Sequence, residues 1–417
     1  MKIFSLSPET KYKFAKFKKN RKSYYSLVIF MALFLFTLPA ELLFNDKPLV
    51  MSIDGRLYFP IFRSYTMKDF GGGSDIPIQN YNSGDFVSFI DGKVKKVDTK
   101  SMFGSGGDDL SLDDLESGGD KKPEQEGQEE KSVVVTEGKK HDFWRLDALF
   151  TNSYKSGYNG TTLERQNLAS PKDYVEKKTG KEYKGSFDEG YYLGTDTCGK
   201  CVLARLVYGF RVSIIFGLAL AISGTIVGCF LGALQGYFGG LVDLLGQRLT
   251  EIWGSIPELF LLMILASIFN RNTSESTMYF IIFGILNLFV WMGMASHMRA
   301  MFLRARNLDY VKAAKALGVS DFKIMIKHIM PNSLVPIVTF FPFAVSAGFM
   351  ELVSLDFIGL GIKYPAPSLG ELLSQGEANP RVWWIIVPTF IVLVLVQTLL
   401  TYIGDGVRNA FDPRYKG

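Results

Sequence analysis

Two acidic residues in apolar surroundings are the first candidates for chemistry in this sequence. Glu258 directly follows Pro257 inside one apolar stretch, and Glu351 lies near the end of another. A charged side chain at the centre of a bilayer costs at least about 2.5 kcal/mol, so acids kept there often mark the path of a substrate or an ion. The alternative is that each acid lies near a membrane interface or pairs inside the protein. The sequence leaves both interpretations open.

A C-x-x-C pair, formed by Cys198 and Cys201, is the second candidate. This spacing occurs in redox pairs, local disulfides and halves of zinc sites. No second pair of ligands accompanies it, so we expect either a local disulfide or two ordinary thiols. Cys229 lies in an apolar stretch and is expected to pack as a small hydrophobe. With three Cys and three His in 417 residues, the sequence predicts no metal site.

Enzyme motifs are missing from the chain. It contains no G-x-x-x-x-G-K-[ST], no G-x-S-x-G and no H-E-x-x-H. These motifs supply phosphate binding, a serine nucleophile and a zinc-activated water, respectively. We therefore predict no catalytic residues and no nucleotide hydrolysis through a P-loop.

The charge of the chain is unevenly distributed. The overall composition, 47% hydrophobic and 21% charged, resembles that of a soluble protein. However, residues 45–201 hold 22 of the 46 Lys and Arg and 27 of the 41 Asp and Glu. The other 260 residues are therefore much more apolar than the average suggests.

Six stretches are long and apolar enough to cross a bilayer as helices, which needs about 20 residues each. They are 26–44, 212–235, 252–270, 279–297, 334–354 and 383–403. The sequence thus predicts an all-α integral membrane protein with six transmembrane helices. The expected segments are a basic tail (1–25), a first helix (26–44), a large external segment (45–201), a transmembrane core (202–404) and a second tail (405–417).

The basic residues of the short loops predict the orientation. The side that carries both termini, the loop 236–250 and the loop 298–333 holds 19 Lys and Arg, whereas the opposite short loops hold three. Short cytoplasmic loops carry such an excess of positive charge. Both termini are therefore expected in the cytoplasm and 45–201 outside it, and the basic first tail is expected to meet anionic lipid, not nucleic acid. Within 45–201, residues near 82–140 read as a flexible, acidic, glycine-rich insertion.

The loop 298–333 has a pattern of two short helices. Asp309 can cap the first helix, Gly318 suits its left-handed end, and Pro331 is expected to end the second, which Ser320 can cap. The first helix places small and apolar residues on one smooth face, at Ala313, Ala314, Leu317 and Gly318, while Lys312 and Lys315 point away. Such a face could dock on another protein or pack against the chain's own helices.

This loop resembles the cytoplasmic coupling loop of ABC importer permeases. The matching residues are Ala313, Ala314, Gly318 and Pro331, and Lys312 stands where the family usually has Glu. Three further blocks agree with the oligopeptide, dipeptide and nickel importers: 193–196 with 203–213, 354–361 with 367–373, and 404–414. The blocks 20–27, 45–49 and 54–60 narrow the resemblance to permeases of microcin C and related peptide uptake.

The resemblance implies a type I ABC importer permease fold in the bacterial inner membrane. It implies a second permease subunit, two ATPase subunits or one fused double ATPase, and an extracytoplasmic solute-binding protein as partners. ATP and Mg²⁺ would be bound by the ATPases, and this chain would need no cofactor. It would carry peptides or peptide-like compounds, or another cargo of the family such as nickel chelates. Within the loop, the ATPase would contact Asp309, Tyr310, Ala313, Ala314, Leu317, Gly318 and Pro331.

Two other classes of protein remain alternatives. A stand-alone secondary transporter or channel would show inverted repeats or midplane ion sites and would work without ATP. A receptor or adhesin would use 45–201 to bind ligands, but it would not need five further spans.

Overall fold

The computed structural model describes the helical parts of the chain and portions of the segment between them. The described residues are 8–70, 78, 81, 84–91, 93–95, 135–137, 141–154, 168–172, 174–175, 182–183, 186–187, 190–269, 275–362 and 364–411. The acidic run 104–130, within the predicted insertion, lies outside them. Two compact units are present, one formed by 1–44 with 152–417 and the other by 45–151.

The first unit is helical. Its helices are α1 (Pro8–Lys19), α2 (Arg21–Thr37), α3 (Ala40–Leu43), α5 (Val202–Phe238), α6 (Gly240–Gly254), α7 (Glu258–Phe269), α8 (Glu275–Ala305), α9 (Asp309–Ala316), α10 (Asp321–Lys323), α11 (Leu334–Phe357), α12 (Leu369–Ala378) and α13 (Trp383–Phe411). It also contains the short hairpin of β6 (Tyr174–Val175) and β7 (Glu182–Tyr183).

Four helical stretches in the described residues are long and apolar enough to cross a membrane. They are Val202–Phe238, Thr277–Ala305, Asp321–Phe357 and Trp383–Phe411. These stretches contain the predicted spans 212–235, 279–297, 334–354 and 383–403, and each extends beyond the predicted boundaries. The mostly helical, membrane-spanning character predicted from the sequence is confirmed, and the count of six spans stays a prediction.

The other two predicted spans contain breaks. The stretch 26–44 is divided between α2 and the four-residue α3, with Leu38 and Pro39 between them. The stretch 252–270 is divided after Gly254, and α7 begins at Glu258. Proline has no backbone N–H to donate to the preceding turn, which accounts for the breaks at Pro39 and Pro257.

The core of the helical unit lies where α5, α11, α12 and α13 meet. Its buried side chains include Phe210, Phe349, Leu369, Ile385 and Val396. A second cluster joins the last turns of α5 and α8 to the segment that follows α8, with Met298, Phe302 and Ile324 fully buried. Between membrane-spanning helices, van der Waals packing of such side chains is a main source of association, because lipid is as apolar as the core itself.

The second unit is built on a three-stranded antiparallel sheet of order β2 (Arg56–Tyr58), β1 (Val50–Ile53) and β5 (Phe143–Leu146). Asp54 and Gly55 connect β1 to β2 with φ angles of 51° and 80°. Two consecutive positive φ values give the turn that matches the twist of a hairpin, and Asp-Gly favours it. The unit also contains α4 (Gly84–Ile90) and the paired strands β3 (Lys93–Lys95) and β4 (Val135–Glu137).

The core of this second unit is aromatic. Tyr81 and Phe86 are almost fully buried, and their rings pack edge to face with centroids 5.2 Å apart. Phe70 packs against both Phe86 and Tyr58 in the same manner. Edge-to-face contacts between aromatic rings add to the free energy gained by burial, so a few aromatic residues can stabilise this small unit.

Candidate functional site

The loop between α8 and α11 is the first candidate site, and its helices fall close to where the sequence places them. Helix α9 spans Asp309–Ala316, with Leu308 at the N-cap position and Asp309 in the first helical position. The predicted cap at Asp309 is thus wrong by one residue, but a carboxylate in the first turn still favours the helix dipole. Gly318 has φ of +76°, as its predicted left-handed role requires.

The second half of the loop differs from the prediction. Ser320 occupies the N-cap position of α10, but its side chain makes no capping hydrogen bond. A π-helical turn, Ile324–Ile329, and a 3₁₀ turn, Met330–Ser333, then continue the chain into α11. Pro331 lies inside this 3₁₀ turn and does not end the helix. The first N–H groups of a helical turn have no acceptor within that turn, so a proline at its start loses no hydrogen bond and the helical path continues into α11.

The predicted smooth face of α9 is divided between two environments. Ala314 is 8% exposed and packs with Val311 in the cluster that includes Phe302. Ala313 and Gly318 are exposed, and Leu317 is 83% exposed. Ala314 therefore supports the loop from inside, whereas its neighbours face outward.

The outward side of the loop is rich in apolar side chains. We call this set the loop surface, and it consists of Leu308, Tyr310, Ala313, Leu317, Phe322 and Ile326, all of them exposed. Clusters of exposed apolar side chains mark contact sites in soluble parts of proteins. Lys312 lies beside Asp309, with 3.8 Å between Nζ and Oδ1, and both side chains are exposed.

An acidic cavity in the helical unit is the second candidate site. The cavity has a volume of about 450 Å³ and is lined by both Glu258 of α7 and Glu351 of α11. Apolar side chains form most of the remaining wall, among them Leu220, Leu286 and Phe289. The structure thus brings together two acids that are 93 positions apart in the sequence. A small number of polar groups in an apolar wall is typical of ligand pockets.

A buried ionic network, which the sequence did not predict, connects two blocks of the resemblance, 193–196 with 203–213 and 354–361 with 367–373. Arg205 near the start of α5 is fully buried and donates to Asp196 at 2.6 Å and to Glu371 of α12 at 2.9 Å. It also donates to the backbone oxygen of Ala366 at 3.1 Å. Buried charges need such partners, because an unpaired charge is costly to remove from water.

Asp196 and Asp356 extend this network to the backbone. Asp196 accepts from the amides of Cys198 and Lys200. Asp356 accepts from the Ile362 amide at 2.8 Å and from the Ser368 hydroxyl at 2.5 Å. The network thereby fixes the turns before α5 and between α11 and α12, which identifies its role as structural.

The two cysteines of the C-x-x-C pair are free thiols, the second of the two expected states. Cys198 is exposed and Cys201 is buried. Burial raises the pKa of the Cys201 thiol to about 11, with the nearby Asp196 carboxylate acting in the same direction. In the described residues no group of three His, Cys, Asp or Glu could hold a metal ion.

Comparison with known proteins identifies the family. Residues 224–417 match the family described as "Binding-protein-dependent transport system inner membrane component". The chain is 36% identical over 408 residues to the inner membrane ABC transporter permease protein YejE of Escherichia coli (strain K12), which covers 98% of each chain. The chain belongs to the ABC transporter permease family. It is therefore a transport subunit and a multi-pass protein of the inner membrane, and the resemblance drawn from the sequence is confirmed.

Two further permeases extend this comparison. The peptidoglycan transport system permease protein YejE of Agrobacterium fabrum is 36% identical over 415 residues, covering 98% of this chain and 94% of that one. The dipeptide transport system permease protein DppC of Lactococcus lactis subsp. cremoris is 38% identical over 226 residues, covering 54% of this chain and 64% of that one. Among solved structures, a chain of the inward-facing MetNI methionine ABC transporter covers 50% of this permease, with a TM-score of 0.38 and 18% identity.

Proposed function

We propose that this permease is one of two permease subunits of an importer that carries peptides or peptide-like compounds across the inner membrane. The observation that carries the proposal is the 36% identity over almost the whole chain to permeases of ABC systems. The name of one of these relatives assigns it to peptidoglycan transport, and that of a shorter relative to dipeptides. Both kinds of cargo contain peptides.

The proposed topology has six spans, with both termini in the cytoplasm. The charge bias of the short loops supports it, with 19 basic residues on one side and three on the other. In this topology, α2 with α3 and the region of α7 supply the first and third spans, and 45–201 is extracytoplasmic. Residues 1–25 and 405–417 form the two cytoplasmic tails.

The loop 298–333 is the proposed contact with the ATPase subunits. In the proposed topology it is cytoplasmic, and its surface exposes the apolar side chains that a partner would cover, Leu317 foremost. ATP and Mg²⁺ would be bound by these partners, two ATPases or one fused double ATPase. The remaining proposed partners are a second permease and an extracytoplasmic solute-binding protein.

The acidic cavity is the proposed part of the substrate path within this chain. Glu258 and Glu351 line it from different helices, α7 and α11, so relative movement of these helices would change its shape. Alternating access requires such a change between two conformations of the transporter. The amino group of a peptide is the cation that these carboxylates would contact.

Co-purification tests the contact with the ATPases. We expect Leu317→Glu in the loop surface to abolish co-purification of the ATPase subunits and the uptake of a labelled peptide, because burial of a charge in an apolar contact is costly. Lys315→Glu, a charge change on an exposed residue of the same loop outside the loop surface, is the matched control. Full co-purification and uptake with Leu317→Glu would contradict the proposed contact.

A further inference from the structure

A hydrogen bond links the end of α5 to the loop at a position that the family resemblance does not include. Tyr237, the second-last residue of α5, is 8% exposed. Its hydroxyl donates to Oδ1 of Asp321 at 2.5 Å, across 84 positions of sequence. Asp321 is the first residue of α10, and its side chain is otherwise exposed. Hydrogen bonds to a carboxylate are short and are stronger than those between neutral groups.

The helix that carries Tyr237 forms a tightly packed pair with α8. A Cβ atom placed on Gly228 would lie 2.5 Å from the Trp291 carbonyl oxygen, and one on Gly236 would lie 2.5 Å from that of Arg299. Such distances mean that the two backbones are in contact over two turns of α5. Close-packed helices with no intervening side chains cannot slide or separate without losing this contact, so α5 and α8 move as one body.

The loop is attached to this pair on one side and to α11 on the other, and the two attachments differ. Toward α5 and α8, Val311, Ala314 and Ile324 are buried against the helix ends, and Tyr237 adds its polar contact. Toward α11, the chain passes through the π-helical turn and the 3₁₀ turn that contains Pro331. Irregular turns of this type within a helix often mark hinges.

We infer that the Tyr237–Asp321 hydrogen bond is a latch that makes the loop move together with the α5–α8 pair, so that Tyr237 is a positioning residue for coupling. The inference rests on the proposed contact between the loop and an ATPase. The apolar side chains hold the loop against the helix ends but tolerate small rotations, because dispersion contacts are not directional. The hydrogen bond from the Tyr237 hydroxyl to the Asp321 carboxylate is directional, so it fixes the orientation of the loop against the helix ends. Displacement of the loop is then transmitted to α5 and α8, while the irregular turns allow α11 to follow separately.

The coupling ratio of the complete transporter tests this inference. We define this ratio as peptide molecules imported per ATP hydrolysed, measured in liposomes with both permeases, the ATPases and the binding protein. Tyr237→Phe removes only the hydroxyl, and Asp321→Ala removes the acceptor from an exposed position. We expect each to lower the ratio about ten- to hundredfold, the factor by which loss of a hydrogen bond to a charged group shifts an equilibrium. ATP hydrolysis should continue at no less than the wild-type rate.

Three further variants separate a latch from a general structural role. Asp321→Asn keeps a side-chain oxygen that can accept from the phenol, and we expect it to retain most of the ratio. The double variant Tyr237→Phe with Asp321→Ala should be no worse than either single variant, because both remove one interaction. Tyr402→Phe removes a half-exposed hydroxyl from α13 and should leave the ratio unchanged.

The inference is overturned by an unchanged ratio in Tyr237→Phe, or by a parallel fall in import and ATP hydrolysis. Equal losses in Asp321→Asn and Asp321→Ala would also overturn it. Co-purification of the ATPases, measured on the same preparations, distinguishes this failure from failure of the proposed contact. Tyr237→Phe should co-purify normally whether or not the latch exists, whereas Leu317→Glu addresses the contact alone.

Discussion

Arg205 and Asp196 form a salt bridge that is fully removed from solvent. Their closest atoms, Nη1 and Oδ2, are 2.6 Å apart, and both side chains are 0% exposed. Six residues further along the same helix, Arg211 pairs with Glu41 at the same distance of 2.6 Å, but the Glu41 side chain is 57% exposed. The two pairs therefore share their shortest distance and differ in solvation.

Removal of Arg205 should be far more damaging than removal of Arg211. We expect Arg205→Ala to lower the free energy of unfolding by about 3–5 kcal/mol, because it leaves Asp196 buried without its partner. Arg211→Ala should cost about 1 kcal/mol or less, since water screens the exposed pair. Denaturant unfolding of the two variants in detergent measures the difference. Equal losses would show that the burial of the first pair has no energetic consequence.

The two adjacent alanines of α9 should respond differently to the same substitution. Ala314→Leu adds three carbons to a buried cluster, and we expect it to lower the free energy of unfolding by about 1–3 kcal/mol. Ala313→Leu adds them to an exposed position and should change stability by no more than about 0.5 kcal/mol. Thermal unfolding of the purified chain is the measurement. A destabilised Ala313→Leu would place that residue inside the protein instead.

The close approach of α5 and α8 predicts the outcome of a glycine comparison. Gly228→Ala would place its Cβ 2.5 Å from the Trp291 oxygen, so we expect a loss of about 1–3 kcal/mol in stability. Gly293→Ala in α8 has no atom within 4 Å of its Cβ and should gain about 0.5–1 kcal/mol, because alanine favours a helix. Both substitutions have the same effect on helix propensity, so the difference between their unfolding free energies isolates the packing.

The acidic cavity predicts a dependence on the charge of the cargo. In the assembled transporter, we expect Glu258→Gln and Glu351→Gln to raise the KM for uptake of a peptide with a free amino terminus about tenfold, because each removes a charge-assisted contact. An amino-acetylated peptide should be affected much less. Glu251→Gln neutralises an exposed acid of α6 that lies outside the cavity, and it is the control. Equal effects on the two peptides would exclude recognition of the amino group.

The two thiols of the C-x-x-C pair should react at different rates. At pH 8 a thiol with a pKa of about 11 is thiolate in about one molecule in a thousand, and only the thiolate attacks a maleimide. We therefore expect the exposed Cys198 to be labelled quickly and the buried Cys201 only after denaturation, as mass spectrometry of the peptides would record. If both cysteines resisted labelling until a reductant was added, the disulfide alternative would be correct.

The sequence predicted the features that depend on local composition. Long apolar stretches identified α5, α8, α11 and α13, and the requirement for positive φ identified Gly318 as the end of α9. Pro39 and Pro257 already indicated possible breaks in the sequence, but the apolar residues on either side of each proline favoured a continuous span. Hydropathy is averaged over a window of residues, so it predicts one span where the backbone forms two separate helices.

The features that the sequence could not predict depend on pairs of distant residues. The exposure of Ala313 and the burial of Ala314 follow from how α9 docks on Phe302 and its neighbours, which periodicity alone does not specify. The partner of Tyr237 is 84 positions away, and those of Arg205 lie on either side of it, at 196 and 371. The one local signal was the arginine itself, a charge close to the start of a long apolar helix.

The buried arginine also has a consequence for how the chain is made. Asp196 leaves the ribosome before Arg205, but Glu371 follows it by 166 residues. At a synthesis rate of 5–20 residues per second, Arg205 waits roughly 8 to 33 s for its second carboxylate. During this interval Asp196 is the only one of its two carboxylate partners that has been synthesised. The buried network of the helical unit can therefore be completed only after α12, one of the last helices of the chain, has been synthesised.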